Sequence, residues 1–270
     1  MAVPVVSKSG LAAEALQSLV KRCSEDPKLA NDTNIHIVIN TEKPIGIKND
    51  YVPRIIPLTS CKMHKPSDLR ILLITKDPST LYRKTLTKDP STADLFKTIL
   101  SVRNLKGKYR GSRLSKLFRE YDLVVADYRV HHLLPQILGS AFFHSNKKLP
   151  FMVKMSQAVK AKREKLPEEC DAAYVRAQLR SICKNTFYVP NVDNCLSVKI
   201  GEVGVHTVDE MVHNIDDIVR FLTDKSKKPQ GGVIRGDISA IFVKTSNSVS
   251  LPIYKAEKKS EVHEEEELRL

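Results

Sequence analysis

Apolar residues recur at helical spacing in three segments of the chain. Residues 9–22, SGLAAEALQSLVKR, predict a helix that Ser9 caps, and residues 174–184 predict a second one. Residues 208–222, VDEMVHNIDDIVRFL, align their apolar side chains on one face and most charged ones elsewhere. The segment 208–222 therefore predicts an amphipathic helix.

Strict alternation of apolar and polar residues marks a set of strands near both chain ends. Residues 34–40, NIHIVIN, place three isoleucines on one face. Residues 196–200, 238–244 and 251–254 also have strand character. The alternation at 34–40 predicts a half-buried strand.

The middle of the chain has a different texture. Residues 69–75, LRILLIT, and 123–126, LVVA, are nearly continuous apolar runs, and residues 149–153 repeat the pattern weakly. Such runs are typical of strands that are buried on both faces. Predicted helices at 92–102 and 130–138 separate them, and this alternation indicates βαβ units and a parallel sheet.

These textures predict two domains. Residues 1–66 and 155–255 form a discontinuous α+β domain, and residues 67–154 form an inserted α/β domain. Residues 256–270 are an acidic tail that we expect to be disordered, because it has too little apolar surface to bury.

The chain is strongly basic. Its 270 residues have a formal charge of +13, and the last fifteen hold six acidic and three basic residues, so residues 1–255 carry +16. A surplus of this size usually serves to bind a polyanion, although a merely soluble basic protein is the alternative. No apolar run approaches the length of a membrane span and no secretory signal is read, so a cytosolic or nuclear location is expected.

Metal and cofactor signals are missing from the sequence. The five cysteines are scattered, without a C-x-x-C pair or Cys/His zinc spacing, so reduced thiols and no metal are expected. Lys76-Asp77-Pro78 follows LRILLIT where a dinucleotide fold needs glycines, and Gly107-Lys108 lacks the upstream glycine of a phosphate loop. No cofactor is expected.

One stretch resembles an active site. Residues 122–139, DLVVADYRVHHLLPQILG, place Asp127, Arg129, His131 and His132 just past an apolar strand. Adjacent helical side chains project about 100° apart, so the two histidines do not converge. We interpret the stretch as scaffold without a catalytic residue; an enzyme using Asp127, Arg129 and His131 is the alternative.

Basic residues form three clusters, at 103–119, 147–165 and 225–229. Together they favour contacts with the backbone of RNA or DNA and say nothing about sequence specificity. The predicted basic surface consists of Arg103, Lys106, Lys108, Arg110, Arg113, Lys160, Lys162, Arg163, Lys227 and Lys228.

Several of these segments together resemble the ribosomal stalk protein L1 family. The run AIFVKTSNSVSLPIY at 240–254 is similar to the family's last strand. The strand at 196–201, the helix at 208–222, the Lys-Pro-x-Gly-Gly segment at 228–232 and the insertion containing 122–139 follow in matching order. The resemblance spans most of 9–254 and is nearest to a non-ribosomal eukaryotic branch of ribosome-biogenesis factors.

The resemblance implies both a fold and a function. The fold is a two-domain L1-like α/β fold, in which a discontinuous α+β domain holds an inserted Rossmann-like, three-layer α/β domain. The function is RNA binding without catalysis: docking on pre-ribosomal RNA, in its pre-18S region, within the nucleolar small-subunit (90S) precursor. The partners are assembly proteins, and the chain is expected to be a monomer within the particle. A large-subunit precursor and a scaffold held mainly by proteins are the alternatives.

The resemblance also implies an RNA-binding turn. The family's Lys-Ser-Thr-Met-Gly motif falls on Lys244, Thr245, Ser246, Asn247 and Ser248. Ser197 and Lys199 are expected to face the same region. Two departures stand out: Asn247-Ser248 replaces Met-Gly, and Glu202 stands where a basic residue is common.

Overall fold

The computed structural model describes residues 10–29, 31–47, 50–60, 63–143, 148–157 and 169–256. The predicted cap Ser9 and the acidic tail beyond residue 256 lie outside these ranges. The helices are α1 (Leu11–Glu25), α2 (Thr80–Lys88), α3 (Val102–Lys108), α4 (Ser112–Glu120), α5 (Tyr128–His131), α6 (Leu134–Phe143), α7 (Ala172–Lys184) and α8 (Val208–Thr223). The strands are β1 (Asn34–Thr41), β2 (Arg54–Ile56), β3 (Ile71–Thr75), β4 (Thr98–Ser101), β5 (Leu123–Asp127), β6 (Phe151–Val153), β7 (Thr186–Tyr188), β8 (Cys195–Glu202), β9 (Ile238–Lys244) and β10 (Leu251–Lys255).

Segments from both ends of the chain form one antiparallel sheet, in the order β10-β9-β1-β8. Strand β1 lies in its middle and alternates between partly exposed and buried residues along its whole length. The alternating isoleucines are therefore the residues on the buried side of β1. The four strands predicted near the chain ends are confirmed.

Helices α1 and α8 cover one face of this sheet. Ile35, Ile37 and Ile39 of β1 are fully buried against them. Helix α8 begins with a capping box, in which Thr207 and Glu210 satisfy each other's backbone N–H groups, and it buries six apolar side chains. Helix α1 buries Ala12, Leu16, Leu19 and Cys23, whereas Leu11 stays exposed.

The middle of the chain forms a parallel sheet in the order β4-β3-β5-β6. All five residues of β3 are buried, as the continuous apolar run predicts. One face packs against α2 and α7, and the other against α3, α4, α5 and α6. This is a three-layer α/β arrangement, and the predicted fold class is confirmed.

Two local predictions in this region are wrong. Residues 92–102 do not form a helix: a turn ends at Leu95, and Thr98–Ser101 is strand β4, which pairs in parallel with β3. Burial of Ile99 and Leu100 in the sheet decides the outcome over local helix propensity. The helix between β3 and β4 is α2, which lies earlier. The predicted helix at 130–138 is two pieces, α5 and α6.

The predicted domain boundaries remain a prediction. Helix α7 follows residue 155 in sequence but packs on the parallel sheet, where Val175 and Leu179 are buried beside Ile71. A short ladder of β2 and β7 touches both cores, because Ile56 and Tyr188 lie in one while Ile55 and Phe187 pack against the other.

Candidate RNA-binding surface

The antiparallel sheet has a second face that α1 and α8 do not cover, which we call the open face. Side chains alternate along a strand, so the residues between the buried isoleucines point to it. The register aligns partly exposed or exposed residues of three strands into two rows. These rows are Lys199, His36 and Lys244, followed by Ser197, Val38 and Phe242. The structure thus brings together the predicted residues Ser197, Lys199 and Lys244.

Lys199 is not a free cation. Its Nζ donates to Oε1 of Glu202, and Nε2 of His64 lies 3.6 Å from the same oxygen. Burial raises the pKa of Glu202, but the hydrogen bond and charge of Lys199 lower it more, so its net pKa is below the ordinary value. The ionised carboxylate partly neutralises this corner of the open face. Glu202, the departure noted in the sequence, therefore has a direct electrostatic consequence.

The turn at 245–248 is held by its own hydroxyl groups. The Thr245 N–H donates to Ser248 Oγ at 2.9 Å, and the Ser248 N–H donates to Thr245 Oγ1 at 3.2 Å. Thr245 is fully buried, so it shapes the turn and does not present a side chain. Ser246 and Asn247 are exposed at its tip. These two residues are the ones positioned to meet a partner.

Asp32 fastens this turn to the rest of the sheet. Its Oδ2 accepts the Asn247 N–H at 2.8 Å, and Thr245 and Ser246 also hydrogen-bond to it. Burial raises the pKa of Asp32, but these hydrogen bonds together lower it by more, so the net pKa of the carboxyl is below its usual value. Sequence reasoning missed Asp32, since a single acid before β1 gives no signal of a partner 215 residues away.

The predicted basic surface does not form one patch on this sheet. Arg103, Lys106, Lys108, Arg110 and Arg113 are exposed on and between α3 and α4, beside the parallel sheet. Lys227 and Lys228 are exposed in the segment after α8. Lys160, Lys162 and Arg163 lie outside the described residues. The cations therefore occupy at least two separate regions.

The polar groups at the end of β5 are engaged with one another. Both carboxylate oxygens of the buried Asp127 accept from Arg129, at 2.5–3.1 Å, and Arg129 Nη2 also donates to Tyr82 Oη at 2.6 Å. His131 Nε2 lies 2.9 Å from the Pro150 carbonyl oxygen, and His132 is exposed elsewhere. These contacts tie β5 to α2 and β6, which fits the interpretation of residues 122–139 as scaffold.

The described residues contain neither a metal-binding cluster nor a membrane-spanning helix. No group of three or more His, Cys, Asp or Glu side chains is arranged to hold a metal ion in the described part of the chain. Among the same residues, none of the helices has the length and apolar character needed to cross a bilayer.

Comparisons with known proteins point in one direction. A profile described as "Ribosomal protein L1p/L10e family" matches residues 19–249. The chain is 60% identical over 263 residues to "Ribosome biogenesis protein UTP30" of Saccharomyces cerevisiae, covering 97% of this chain and 96% of that protein. It is 28% identical to "Putative ribosome biogenesis protein C8F11.04" of Schizosaccharomyces pombe, over 82% of this chain and 54% of that protein. It is 24% identical to "Ribosomal L1 domain-containing protein 1" of Mus musculus, over 88% and 48%.

Proposed function

Because this chain belongs to the ribosomal protein L1p/L10e family, we propose that it is a ribosome-biogenesis protein that binds folded precursor ribosomal RNA. The observation that supports the proposal most is the near-complete, 60% identical match to a yeast protein named for ribosome biogenesis. The open face and its anchored turn supply a surface on which RNA can dock. The proposal includes no catalytic step.

The chemistry of the surface suits a folded RNA backbone. The exposed side chains of Ser246, Asn247 and Ser197 offer hydroxyl and amide groups that can bond phosphate oxygens and 2′-hydroxyls. Lys244 supplies a cation in the next row, and Phe242 offers an apolar face for a sugar or base. Asp32 and Thr245 preorganise the turn, which lowers the entropy lost on binding.

The finer part of the proposal concerns place and particle. We place the chain in the nucleolus, on the pre-18S region of the small-subunit precursor, as a monomer among assembly proteins. The similarity to a yeast protein named for ribosome biogenesis supports a role in ribosome assembly, and the choice of the small-subunit precursor is part of our proposal. The exposed cations on α3 and α4 add sequence-independent attraction for the same RNA.

A charge placed on the turn tests the proposal. The double variant Asn247→Asp, Ser250→Asp puts two carboxylates at and beside the exposed tip, and it keeps the Ser246 side chain and the Asn247 N–H that bond Asp32. Repulsion of phosphates should weaken binding to a transcript of the small-subunit rRNA precursor about ten-fold or more. The matched control is Gln17→Asp, Ser18→Asp, which adds the same charge to exposed positions of α1, on the covered side of the sheet.

Binding is measured by filter retention, and recruitment by sedimentation of precursor particles from cells. Loss of both in the turn variant alone supports the proposal. Recruitment that stays at the wild-type level would favour a scaffold held by proteins. Tighter binding to a large-subunit transcript would move the chain to the other precursor.

A further inference from the structure

A cationic groove of about 700 Å³ lies away from the open face. One wall is formed by the segment after β1 together with the start of β2, and the other by the segment that joins α8 to β9. Five cations line it, and no acidic side chain is among its lining residues. The cations are Lys43, Arg54, Lys225, Lys228 and Arg235.

Four of these five cations form no ion pair with the residues that the structure describes. Arg54 is paired with Asp50 at 2.8 Å. Within the described part of the chain, no carboxylate forms an ion pair with Lys43, Lys225, Lys228 or Arg235. Like charges gathered around one concavity repel each other and raise the local positive potential. An anion that enters the groove relieves this repulsion.

The groove is preformed, because its second wall is fastened on several sides. Arg54 Nη1 donates to the Pro229 carbonyl at 3.1 Å, and Tyr188 Oη donates to that of Gln230 at 2.6 Å. The N–H of Gly232 donates to a carbonyl in the last turn of α8 at 3.0 Å. A ligand that binds there does not have to order the wall first.

Two glycines bring that wall against α8. A Cβ on Gly231 would lie 2.5 Å from the Phe221 carbonyl oxygen, and one on Gly232 would lie 2.6 Å from that of Asp224. Gly232 also has a φ of 61°, in the left-handed region. The close approach that these glycines permit fixes the position of Lys228 and Arg235 on the wall.

The groove combines a charged rim with an apolar floor. Ile47 and Val233 line the groove and are partly exposed, so they present apolar surface to a ligand. A sugar-phosphate chain matches this pattern, since its phosphates can meet the rim while sugar carbons or a base edge lie on the apolar floor.

We propose that this groove binds a second stretch of RNA sugar-phosphate backbone, separate from the RNA at the 245–248 turn. The inference rests on the proposed function. The two sites lie at opposite ends of the same strands: the turn follows the end of β9, whereas Arg235 precedes its start. Likewise Asp32 precedes β1 and Lys43 follows it. At about 3.3 Å a residue, the eight residues of β1 separate the two sites by roughly 25 Å.

The test neutralises the four groove cations for which the described residues supply no ion-pair partner: Lys43→Gln, Lys225→Gln, Lys228→Gln and Arg235→Gln. The control removes the same charge from four exposed lysines outside the groove: Lys84→Gln, Lys88→Gln, Lys97→Gln and Lys184→Gln. Affinity for the small-subunit precursor transcript is measured by filter retention over a range of salt concentrations, and thermal melting confirms that both variants fold.

Each lost phosphate contact lowers the slope of log K against log salt by roughly 0.7–0.9. The groove variant is therefore expected to lose about 3 from the slope, whereas the control loses less than about 1. Photo-crosslinking of the wild-type chain to the same transcript should recover a peptide from residues 225–236.

Equal slopes of log K against log salt in the groove variant and the control would overturn the proposal that the groove binds RNA. Full RNA binding with lost association to precursor particles would also overturn it, because the groove would then hold an acidic protein segment. In either case the charged-turn variant still tests the proposed function independently. Failure of the wild-type chain to bind the transcript at all removes both proposals.

Discussion

Single carboxylates decide how the turn is presented. Asp32 accepts from the backbone of a turn at the far end of the chain. If Asp32 acted only through its charge, its removal would strengthen RNA binding. If Asp32 positions the turn, its removal would weaken RNA binding. The two effects have opposite signs, so one substitution separates them.

We expect Asp32→Ala to weaken binding to the small-subunit precursor transcript roughly ten-fold, because the lost hydrogen bonds contribute about 1–2 kcal/mol to holding the turn. Filter retention measures the change. Glu25→Ala, at the exposed end of α1, removes the same charge nearby and serves as the control. An affinity gain with Asp32→Ala would show that the carboxylate does not position the turn.

Glu202 acts in the opposite sense, because it neutralises Lys199. Glu202→Gln should raise RNA affinity several-fold and steepen the salt slope by about 1, as Lys199 becomes available to a phosphate. Adding Lys199→Gln to that variant should cancel the gain, which a double-mutant cycle measures. A gain that persists without Lys199 would contradict the account.

The elements follow from the sequence wherever the period of burial is clean. Strand β1 and helix α8 have such periods, and both appear close to their predicted bounds. Residues 92–102 lack such a period. Ile99 and Leu100 are compatible with a helix or a strand in the local sequence, and their pairing with β3 decides for the strand. The turn was locatable through the family resemblance. Asp32 and the groove could not be located, because Asp32 bonds a residue 215 positions away and the groove joins Lys43 to Arg235.

The wall of the groove depends on glycine. Gly232→Ala should destabilise the fold by about 1–3 kcal/mol, since alanine disfavours its positive φ and its Cβ meets the Asp224 carbonyl. Gly107→Ala, in α3 with open space around it, should be neutral or slightly stabilising. Urea unfolding measures both. A Gly232→Ala variant as stable as the wild type would mean that the wall does not require glycine.

An ion pair joins Arg70 and Asp122, the residues that directly precede β3 and β5. Arg70 donates to both oxygens of Asp122, at 2.7 and 2.9 Å, and holds the pKa of that carboxyl at about 2. A folded-state pKa below the ordinary 3.8 stabilises the fold above that pH, and the contribution is lost as pH falls toward 2.

Urea midpoints of the wild type and Asp122→Asn should therefore differ near pH 5 and converge near pH 2. Asp94→Asn, an exposed carboxylate of the same α/β region, controls for the loss of one acid. A difference that is constant across this pH range would show that the Arg70 pair does not act through ionisation.

At the scale of the whole molecule, the two chain ends meet in one sheet, and cations lie in several regions around it. The +16 charge of residues 1–255 predicted a polyanionic partner, and the family model adds membership of the ribosomal protein L1p/L10e family. Net charge does not predict the arrangement of the surface, in which an anchored turn lies at one end of the strands and a groove at the other.

The most direct measurement crosslinks the protein to RNA in living cells and sequences both the attached RNA and the attached peptides. The account predicts reads concentrated in the pre-18S region, joined to peptides that contain residues 197–199 and 244–248. Reads spread evenly over cellular RNA, or no enrichment over a non-binding control protein, would contradict it.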